Sequence, residues 1–361
     1  MRPLHYLRSV LTNRRGGVPR PSWCTYLVTY RCNARCGMCD SWKIPAGREL
    51  TVEEAGRVFA DVGRLDVVRL SGGEPFLRKD LPDLAEAVLA AADPMVVHIT
   101  TNGSLTDRAV ELARSFSRPK RLRIMVSFDG LPATHDANRG PGVTFERAFE
   151  TVARLTELAR RRPVRVTANH TVISPGSMAD AAALRDRLGE LGVDVQSVLA
   201  YADSAMYGAA RVGGRAEDLV EDGRFPLHPD LDAAAAADFA AAELARAGKL
   251  GDWQLRVGKR YYLSGMVRRL KGRPVRPGRP RCVALRSHLR LLPDGSVPVC
   301  QFNTEVVGNL LESGFEDVWR GDRAAGMRQW VDRCPGCWAE CEVIPNALYS
   351  GDLLLSHLEK T

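Results

Sequence analysis

Residues 29–43, TYRCNARCGMCDSWK, contain three cysteines, Cys32, Cys36 and Cys39, in the spacing C-x3-C-x2-C. They follow a short apolar segment, residues 25–30, that reads as a β-strand. Three thiolates so close together favour metal binding, but a closed structural zinc site needs four protein ligands. The spacing therefore predicts a metal centre whose fourth ligand comes from elsewhere.

Strand-like and helix-like segments alternate on both sides of this stretch, from about residue 22 to 249. The strand candidates are short, rich in β-branched residues and bounded by turn residues: 25–30, 67–71, 95–100, 122–128, 164–172 and 193–200. The helix candidates are amphipathic, and the last is alanine-rich: 52–64, 81–92, 106–116, 145–161, 178–191 and 232–247. Six βα units in succession predict an α/β fold with a parallel sheet.

Four unusual loops follow the first four strand candidates. They are the cysteine loop, SGGEP at 71–75, TNG at 101–103 and SFDG at 127–130. Because the carboxyl ends of parallel strands share one edge, we expect these loops to meet and to form the functional site.

Composition narrows the possible classes of function. The chain has 361 residues, 45% hydrophobic and 26% charged, with a net charge of +8. No apolar run approaches the ~20 residues that a membrane helix needs, and the N-terminal segment lacks the apolar core of a secretory signal. We therefore expect a cytoplasmic protein without a membrane partner, whose nine cysteines are ligands or reactive thiols. No nucleic-acid module accompanies the basic charge, so no nucleic-acid partner is expected.

The pattern changes after residue 250. A helix candidate at 253–269 precedes a basic segment, KGRPVRPGRPR at 271–281, which reads as a solvated linker or as a surface for an acidic partner or substrate. Asp294-Gly295 predicts the turn of a hairpin. Five cysteines follow the linker: Cys282, Cys300, Cys334, Cys337 and Cys341. Four of these thiolates are enough for one metal centre, either zinc or iron–sulfur.

The cysteine loop together with SGGEP resembles the radical S-adenosylmethionine (SAM) superfamily over residues 22–240, with Met38 where an aromatic residue is common. The C-terminal cysteines resemble the SPASM/twitch extensions of such enzymes. The resemblance implies a partial (β/α)6 TIM-like barrel followed by a small α+β cluster-binding domain. We expect a lead-in at 1–21, the barrel at 22–249, a helix and linker at 250–281, the auxiliary domain at 282–345 and a tail at 346–361.

The same resemblance implies the cofactors. Cys32, Cys36 and Cys39 would hold a [4Fe–4S] cluster whose fourth ligand is SAM. Five C-terminal cysteines are too few for two complete clusters, so the twitch form with a second, auxiliary [4Fe–4S] cluster is expected. Its ligands would be Cys282, Cys300, Cys334 and Cys337, with Cys341 as an alternative ligand or a free thiol.

The resemblance also implies roles for other residues at the edge of the sheet that carries the cysteine loop. Gly72 and Gly73 would let the backbone approach the methionine part of SAM, and Glu74 would accept a hydrogen bond from its ammonium group. Thr101 or Asn102, together with Ser127, would face the ribose or the methionyl part. Arg139 would pair with the SAM carboxylate or be an exposed loop residue. Three residues are candidates for catalysis: Cys341 as a hydrogen-donating thiol, and Asp203 and Tyr201 as bases.

The resemblance implies reductive cleavage of SAM to a 5′-deoxyadenosyl radical that abstracts hydrogen from a substrate C–H. An auxiliary cluster favours oxidation (dehydrogenation) or epimerisation, with electrons from an acidic flavodoxin or ferredoxin. Because only about 20 residues precede the first strand, too few for a peptide-recognition domain, a small polar natural-product or sugar-like metabolite is expected as substrate. Two alternatives remain. One is a ribosomal-peptide maturase that forms a cross-link or epimerises a residue, and the other is a non-catalytic cluster- or zinc-binding protein.

Overall fold

The computed structural model describes residues 3–202, 225–248, 253–273 and 279–354, so Asp203 lies outside the described residues. Seven parallel strands form the main sheet and two antiparallel strands form a second. They are β1 (Trp23–Thr29), β2 (Val67–Gly72), β3 (Val96–Thr101), β4 (Leu122–Phe128), β5 (Arg165–Val172), β6 (Val195–Leu199), β7 (His288–Leu291), β8 (Ser296–Pro298) and β9 (Val306–Asn309). The order of the main sheet is β6-β5-β4-β3-β2-β1-β7, with β8 and β9 paired separately.

Twelve α-helices lie in the part of the chain that the structure describes. They are α1 (Pro3–Arg14), α2 (Val52–Val62), α3 (Leu81–Ala92), α4 (Thr106–Ser115), α5 (Pro132–Arg139), α6 (Phe145–Ala159), α7 (Pro175–Gly189), α8 (Ala233–Ala247), α9 (Trp253–Leu270), α10 (Phe315–Arg320), α11 (Asp322–Arg333) and α12 (Glu340–Tyr349). Local capping explains several starts. Thr51 forms a capping box with Glu54 at α2, and the Asp232 side chain accepts a hydrogen bond from Ala235 N at α8.

The two faces of the main sheet differ. Side chains such as Val68, Leu70 and Val97 belong to a large apolar core shared with the helices. The alternate residues of β2 and β3, including Arg69 and His98, are only half-buried. A parallel sheet covered on both faces would be apolar on both. The sheet is open between its edge strands β6 and β7, so it forms a partial barrel whose concave face is polar.

The seventh strand corrects the sequence interpretation. The sequence predicts a hairpin around Asp294-Gly295, with residues 289–293 and 296–302 as its two arms. The turn is present, since Leu292 N donates to Ser296 O at 2.9 Å. However, β7 pairs in parallel with β1, and β8 pairs with β9. The C-terminal region therefore contributes the last strand of the barrel sheet.

The two ends of the described chain pack together. Helix α1 lies against α12, with Tyr6 Oη donating to Leu348 O at 3.1 Å and Asn13 Nδ2 donating to Tyr349 O at 2.9 Å. The boundary expected after residue 345 falls inside α12, because this helix continues through Pro345. The expected domain boundaries stay a proposal. Among the helices that the structure describes, none is both long and apolar enough to cross a membrane.

Candidate active site

The cysteine loop follows β1 at the carboxyl edge of the sheet. Cys32, Cys36 and Cys39 are half-buried, and Cys39 N donates to Cys36 O at 3.2 Å. Ser41 Oγ donates to Tyr30 O at 2.9 Å, which closes the loop at its base. The loop thus presents three thiols from one short, internally bonded segment.

Helix α5 supports this loop from the side. Arg35 N donates to Arg139 O at 2.8 Å, and Gly37 N donates to Asn138 O at 3.3 Å. Asp129, fully buried after β4, accepts hydrogen bonds from Arg139 Nε, Arg139 Nη2 and Asn138 Nδ2, each at 2.6 Å. One carboxylate therefore holds the two residues that hold the cysteine loop.

The structure contradicts one of the two sequence interpretations of Arg139. The interpretation as an exposed loop residue is wrong, because Arg139 is the last residue of α5 and only 5% exposed. Its guanidinium forms a bidentate ion pair with Asp129, a geometry for which arginine is well suited. The expected contact with the SAM carboxylate stays a prediction.

Burial and charge act in opposite directions at this site. Burial would raise the pKa of Asp129, but the charge and hydrogen bonds of Arg139 hold it below its ordinary value. Burial raises the pKa of Cys36 to about 12 and that of Cys39 to about 11. In the metal-free protein both thiols are neutral at pH 7, so metal binding would displace their protons.

Gly72 and Gly73 are required by the protein's own packing. A Cβ added to Gly72 would lie 2.1 Å from Thr29 O, and one added to Gly73 would lie 2.2 Å from Arg31 O. Gly72 also has a φ of 134°. The two glycines therefore let the start of the cysteine loop lie against the end of β2. Their expected approach to SAM stays a prediction.

Glu74 connects neighbouring strands. It is fully buried, and its carboxylate accepts from Phe76 N at 3.1 Å, Thr101 Oγ1 at 2.7 Å and Asn102 N at 2.7 Å. Burial raises the pKa of Glu74, while these hydrogen bonds oppose the shift. In this structure Glu74 ties the end of β2 to the loop after β3, and its contact with an ammonium group stays a prediction.

The TNG and SFDG loops lie on the same edge. Asn102 Nδ2 donates to Asn33 Oδ1 at 2.8 Å, so the loop after β3 contacts the cysteine loop directly. Ser127, half-buried near the end of β4, pairs in register with Asn169. A cleft of about 280 Å³ opens beside the loop. It is lined by Cys32, Asn33, Arg35, Trp42 and Pro141.

The C-terminal cysteines also gather in space. Cys300, Cys337 and Cys341 pack against Phe302 and Ala339. Burial, and then the neighbouring Cys334, raise the pKa of Cys282. Across the described residues, no three His, Cys, Asp or Glu side chains converge as ligands of a single metal ion. The thiols of an iron–sulfur cluster bind different irons, so they need not converge in this way.

A buried polar network adjoins these thiols. Cys341 Sγ donates to Gln301 Oε1 at 2.6 Å, and Gln301 Nε2 donates to Tyr201 Oη. Arg290 Nη2 lies 2.6 Å from Glu342 Oε1, with both side chains 2% exposed. Burial would raise the pKa of Glu342, but Arg290 and His288 hold it far below its ordinary value.

Glu342 is a further buried residue of this network that the sequence did not single out. Its only signal was an acidic residue next to Cys341. Of the predicted catalytic residues, Cys341 and Tyr201 lie in one chain of hydrogen bonds through Gln301. The third, Asp203, lies outside the described residues.

Two family models match the chain. The model of the radical SAM superfamily matches residues 26–188, which include the cysteine loop, Glu74, Asn102 and Arg139. The model of the SPASM iron–sulfur cluster-binding domain matches residues 282–341, which include all five C-terminal cysteines. The chain therefore contains a radical SAM domain at residues 26–188 and a SPASM domain at residues 282–341.

Several known proteins resemble this radical SAM chain. Fe-coproporphyrin III synthase of Methanosarcina barkeri is 34% identical over 146 residues, 39% of this chain and 36% of that protein. The match thus spans about a third of that relative's length. Mycofactocin maturase MftC of Mycobacterium ulcerans is 29% identical over 318 residues, 84% of this chain and 76% of that protein.

A solved structure shows the same fold. The crystal structure of Streptococcus suis SuiB bound to precursor peptide SuiA superimposes with a TM-score of 0.61 at 15% identity, covering 89% of this chain and 70% of that one. At this identity the likeness shows the shared architecture of barrel and C-terminal domain.

The radical SAM assignment brings SAM, a [4Fe–4S] cluster and auxiliary iron–sulfur binding with it, and the residues present fit these groups. Three thiols on one loop, half-buried beside a cleft, suit a cluster that keeps one iron free of protein ligands. The C-terminal thiols are packed together and offer sulfur donors only, with no histidine among them. Which thiols ligate which cluster stays a prediction.

Proposed function

We propose that this radical SAM protein is a maturase that modifies a peptide, by forming a cross-link or by epimerising a residue. The observation that carries the proposal is the match to the mycofactocin maturase MftC, which extends over 318 residues, 84% of this chain and about twice the length of the radical SAM domain. The match to Fe-coproporphyrin III synthase covers a much smaller part of the chain. The fold accommodates a peptide in SuiB, whose structure contains precursor peptide SuiA.

The roles of this chain's residues follow from their positions. Cys32, Cys36 and Cys39 would hold the catalytic cluster, while Asp129, through Asn138 and α5, fixes their loop. When bound, SAM and the reduced cluster supply a radical that abstracts hydrogen from a substrate C–H. The half-buried polar face of the barrel opens toward this edge, so a substrate segment placed there would lie next to the cysteine loop.

The SPASM domain would decide the outcome of the reaction. Cys282, Cys300, Cys334 and Cys337 would hold an auxiliary cluster that accepts an electron during cross-linking. Cys341 would be an alternative ligand of that cluster, or a free thiol that donates hydrogen to a substrate radical during epimerisation. Its hydrogen bond to Gln301 would orient the thiol in the second case. An acidic flavodoxin or ferredoxin is proposed as the electron donor.

Metal analysis tests the cofactor assignment. After anaerobic reconstitution, two cubane clusters give about eight irons per chain, and the variant with Cys32, Cys36 and Cys39 all changed to Ala should retain about four. Cys24→Ala is the matched control, because Cys24 is fully buried in the apolar core and outside both cysteine groups. Reductive cleavage of SAM should disappear in the triple variant and persist in the control.

Mass spectrometry tests the substrate class. The reconstituted protein is incubated with SAM, a reductant and short peptides encoded beside its gene. A peptide that loses the mass of two hydrogens would indicate a cross-link. In deuterated solvent, a peptide that exchanges one hydrogen for deuterium and is otherwise unchanged in composition would indicate epimerisation. SAM cleavage that leaves every peptide unchanged, but converts a small metabolite, would reject the peptide proposal.

A further inference from the structure

One row of side chains across the main sheet is unusually basic. The strand register aligns one residue from each of six neighbouring strands. In order across the sheet they are Arg290, Thr25, Arg69, His98, Arg123 and Arg165. Neighbouring strands lie about 4.8 Å apart, so the central members, Arg69, His98 and Arg123, fall within about 10 Å of each other at the backbone.

These central side chains face the concave side of the barrel. Successive residues of a strand point to opposite faces. The residues that flank Arg69, Val68 and Leu70, are fully buried in the core shared with the helices. Arg69, His98 and Arg123 are only half-buried. They therefore line the interior of the barrel, where a substrate would lie.

Among the described residues, no ion pair balances the charge of Arg69. Glu342 neutralises Arg290 at one end. The only hydrogen bond that Arg69 makes to the described residues is a long one, from Nη2 to Thr100 Oγ1 at 3.5 Å, and its buried Nε makes none. In strands β1 to β7, no position that faces the same side carries a carboxylate. A half-buried guanidinium that lacks a counter-ion among the described residues is costly, so the position of Arg69 favours binding of an anion.

The protonation state of His98 agrees with a position between two positive charges. Burial, together with the charges of Arg69 and Arg123, holds the pKa of His98 well below its ordinary value. Neutral imidazole adds a hydrogen bond donor between the two cations without adding charge at pH 7. An anion between the guanidinium groups would thus find charged donors on both sides.

We propose that Arg69, His98 and Arg123 bind a compact oxyanion of the substrate, either a carboxylate or a phosphate. The proposal deepens the proposed function and rests on it. Arg69 lies three residues before Gly72, so the anion would sit about 10 Å below the edge that carries the cysteine loop. The anionic group would anchor the substrate deep in the barrel and direct a C–H bond toward that edge.

Arginine labelling tests the proposal on the reconstituted holoprotein under anaerobic conditions. Phenylglyoxal modification of each arginine is followed by peptide mass mapping in chloride, in inorganic phosphate and in acetate at equal ionic strength. Modification of Arg69 should slow by about tenfold at an anion concentration about ten times its Kd. Protection by phosphate alone would point to a phosphorylated substrate, and protection by acetate would point to a carboxylate. Arg154, an exposed arginine paired with Asp107, is the internal control.

A second measurement does not depend on how readily Arg69 reacts. The same anions should raise the thermal midpoint of the wild-type holoprotein relative to chloride, and the rise should be lost in Arg69→Gln but kept in Arg154→Gln. Equal protection of Arg69 and Arg154, or an equal thermal shift in both variants, would overturn the proposal. Neither assay requires turnover, so failure of the proposed function would be seen separately, as peptides left unchanged by a wild-type protein that cleaves SAM.

Discussion

Replacing Asp129 with asparagine should destabilise the protein and loosen the cysteine loop. Asp129 is fully buried and accepts three hydrogen bonds of 2.6 Å, two of them from Arg139. Asparagine has nearly the same size and keeps one oxygen acceptor, so the substitution mainly removes charge. Arg139, 5% exposed, would be left without its counter-ion.

The expected loss of unfolding free energy follows from the burial of the Asp129–Arg139 ion pair. Breaking a buried ion pair by removing one partner costs about 3–5 kcal/mol of unfolding free energy. Asp107→Asn is the matched control, because Asp107 pairs with Arg154 at 2.7 Å but has a side chain 88% exposed. An exposed pair of this kind contributes at most about 1 kcal/mol.

Urea unfolding of the anaerobic holoprotein measures the free energy of unfolding of both variants. Iron per chain after reconstitution reports on the cysteine loop. We expect Asp129→Asn to lose at least about 2 kcal/mol more than Asp107→Asn. It should also lose iron from the cysteine loop while the SPASM thiols keep theirs. Equal free energies for the two variants, with unchanged iron, would refute the argument that Asp129 holds the loop.

Three further predictions follow from the same contacts. Gly73→Ala should reduce iron at the cysteine loop, because its Cβ would lie 2.2 Å from a backbone oxygen, whereas Gly189→Ala, with nothing within 4 Å, should not. Glu342→Gln should lower the thermal midpoint markedly, because it removes the carboxylate charge that pairs with the buried Arg290, and calorimetry that shows no shift would contradict this. Asp129 has a lowered pKa in the folded protein, so its contribution is complete above the ordinary aspartate value of about 3.9 and is lost as the pH falls through the lower folded value. Acid unfolding followed by circular dichroism should therefore show a shallower acid limb in Asp129→Asn.

Much of the fold could be predicted from the sequence because the patterns that indicate strands and helices lie within short segments. The six strand candidates and the alternating helices follow from residue periodicity. The Ala-rich helix, for example, was expected at 232–247 and is observed at Ala233–Ala247, with Asp232 as its cap. The cysteine spacing and SGGEP likewise lie within short segments, so the family could be inferred without knowing any contact between distant residues.

Helix α5 could not be predicted from the sequence. Its sequence, PATHDANR, has no apolar periodicity that would predict a helix. The helix packs beside Asp129 and the cysteine loop, and those contacts decide its position. For the same reason Arg139 was expected in a loop.

The sequence by itself determined the order of strands and helices, the two cysteine groups and the edge on which the loops meet. Only the tertiary structure decided that β7 completes the barrel sheet, that Glu342 pairs with Arg290, and that Arg69, His98 and Arg123 form one row. Periodicity and spacing are set by neighbours along the chain, whereas strand register and buried ion pairs join residues far apart in sequence. Their partners are selected by packing and by the free-energy cost of burying an uncompensated charge.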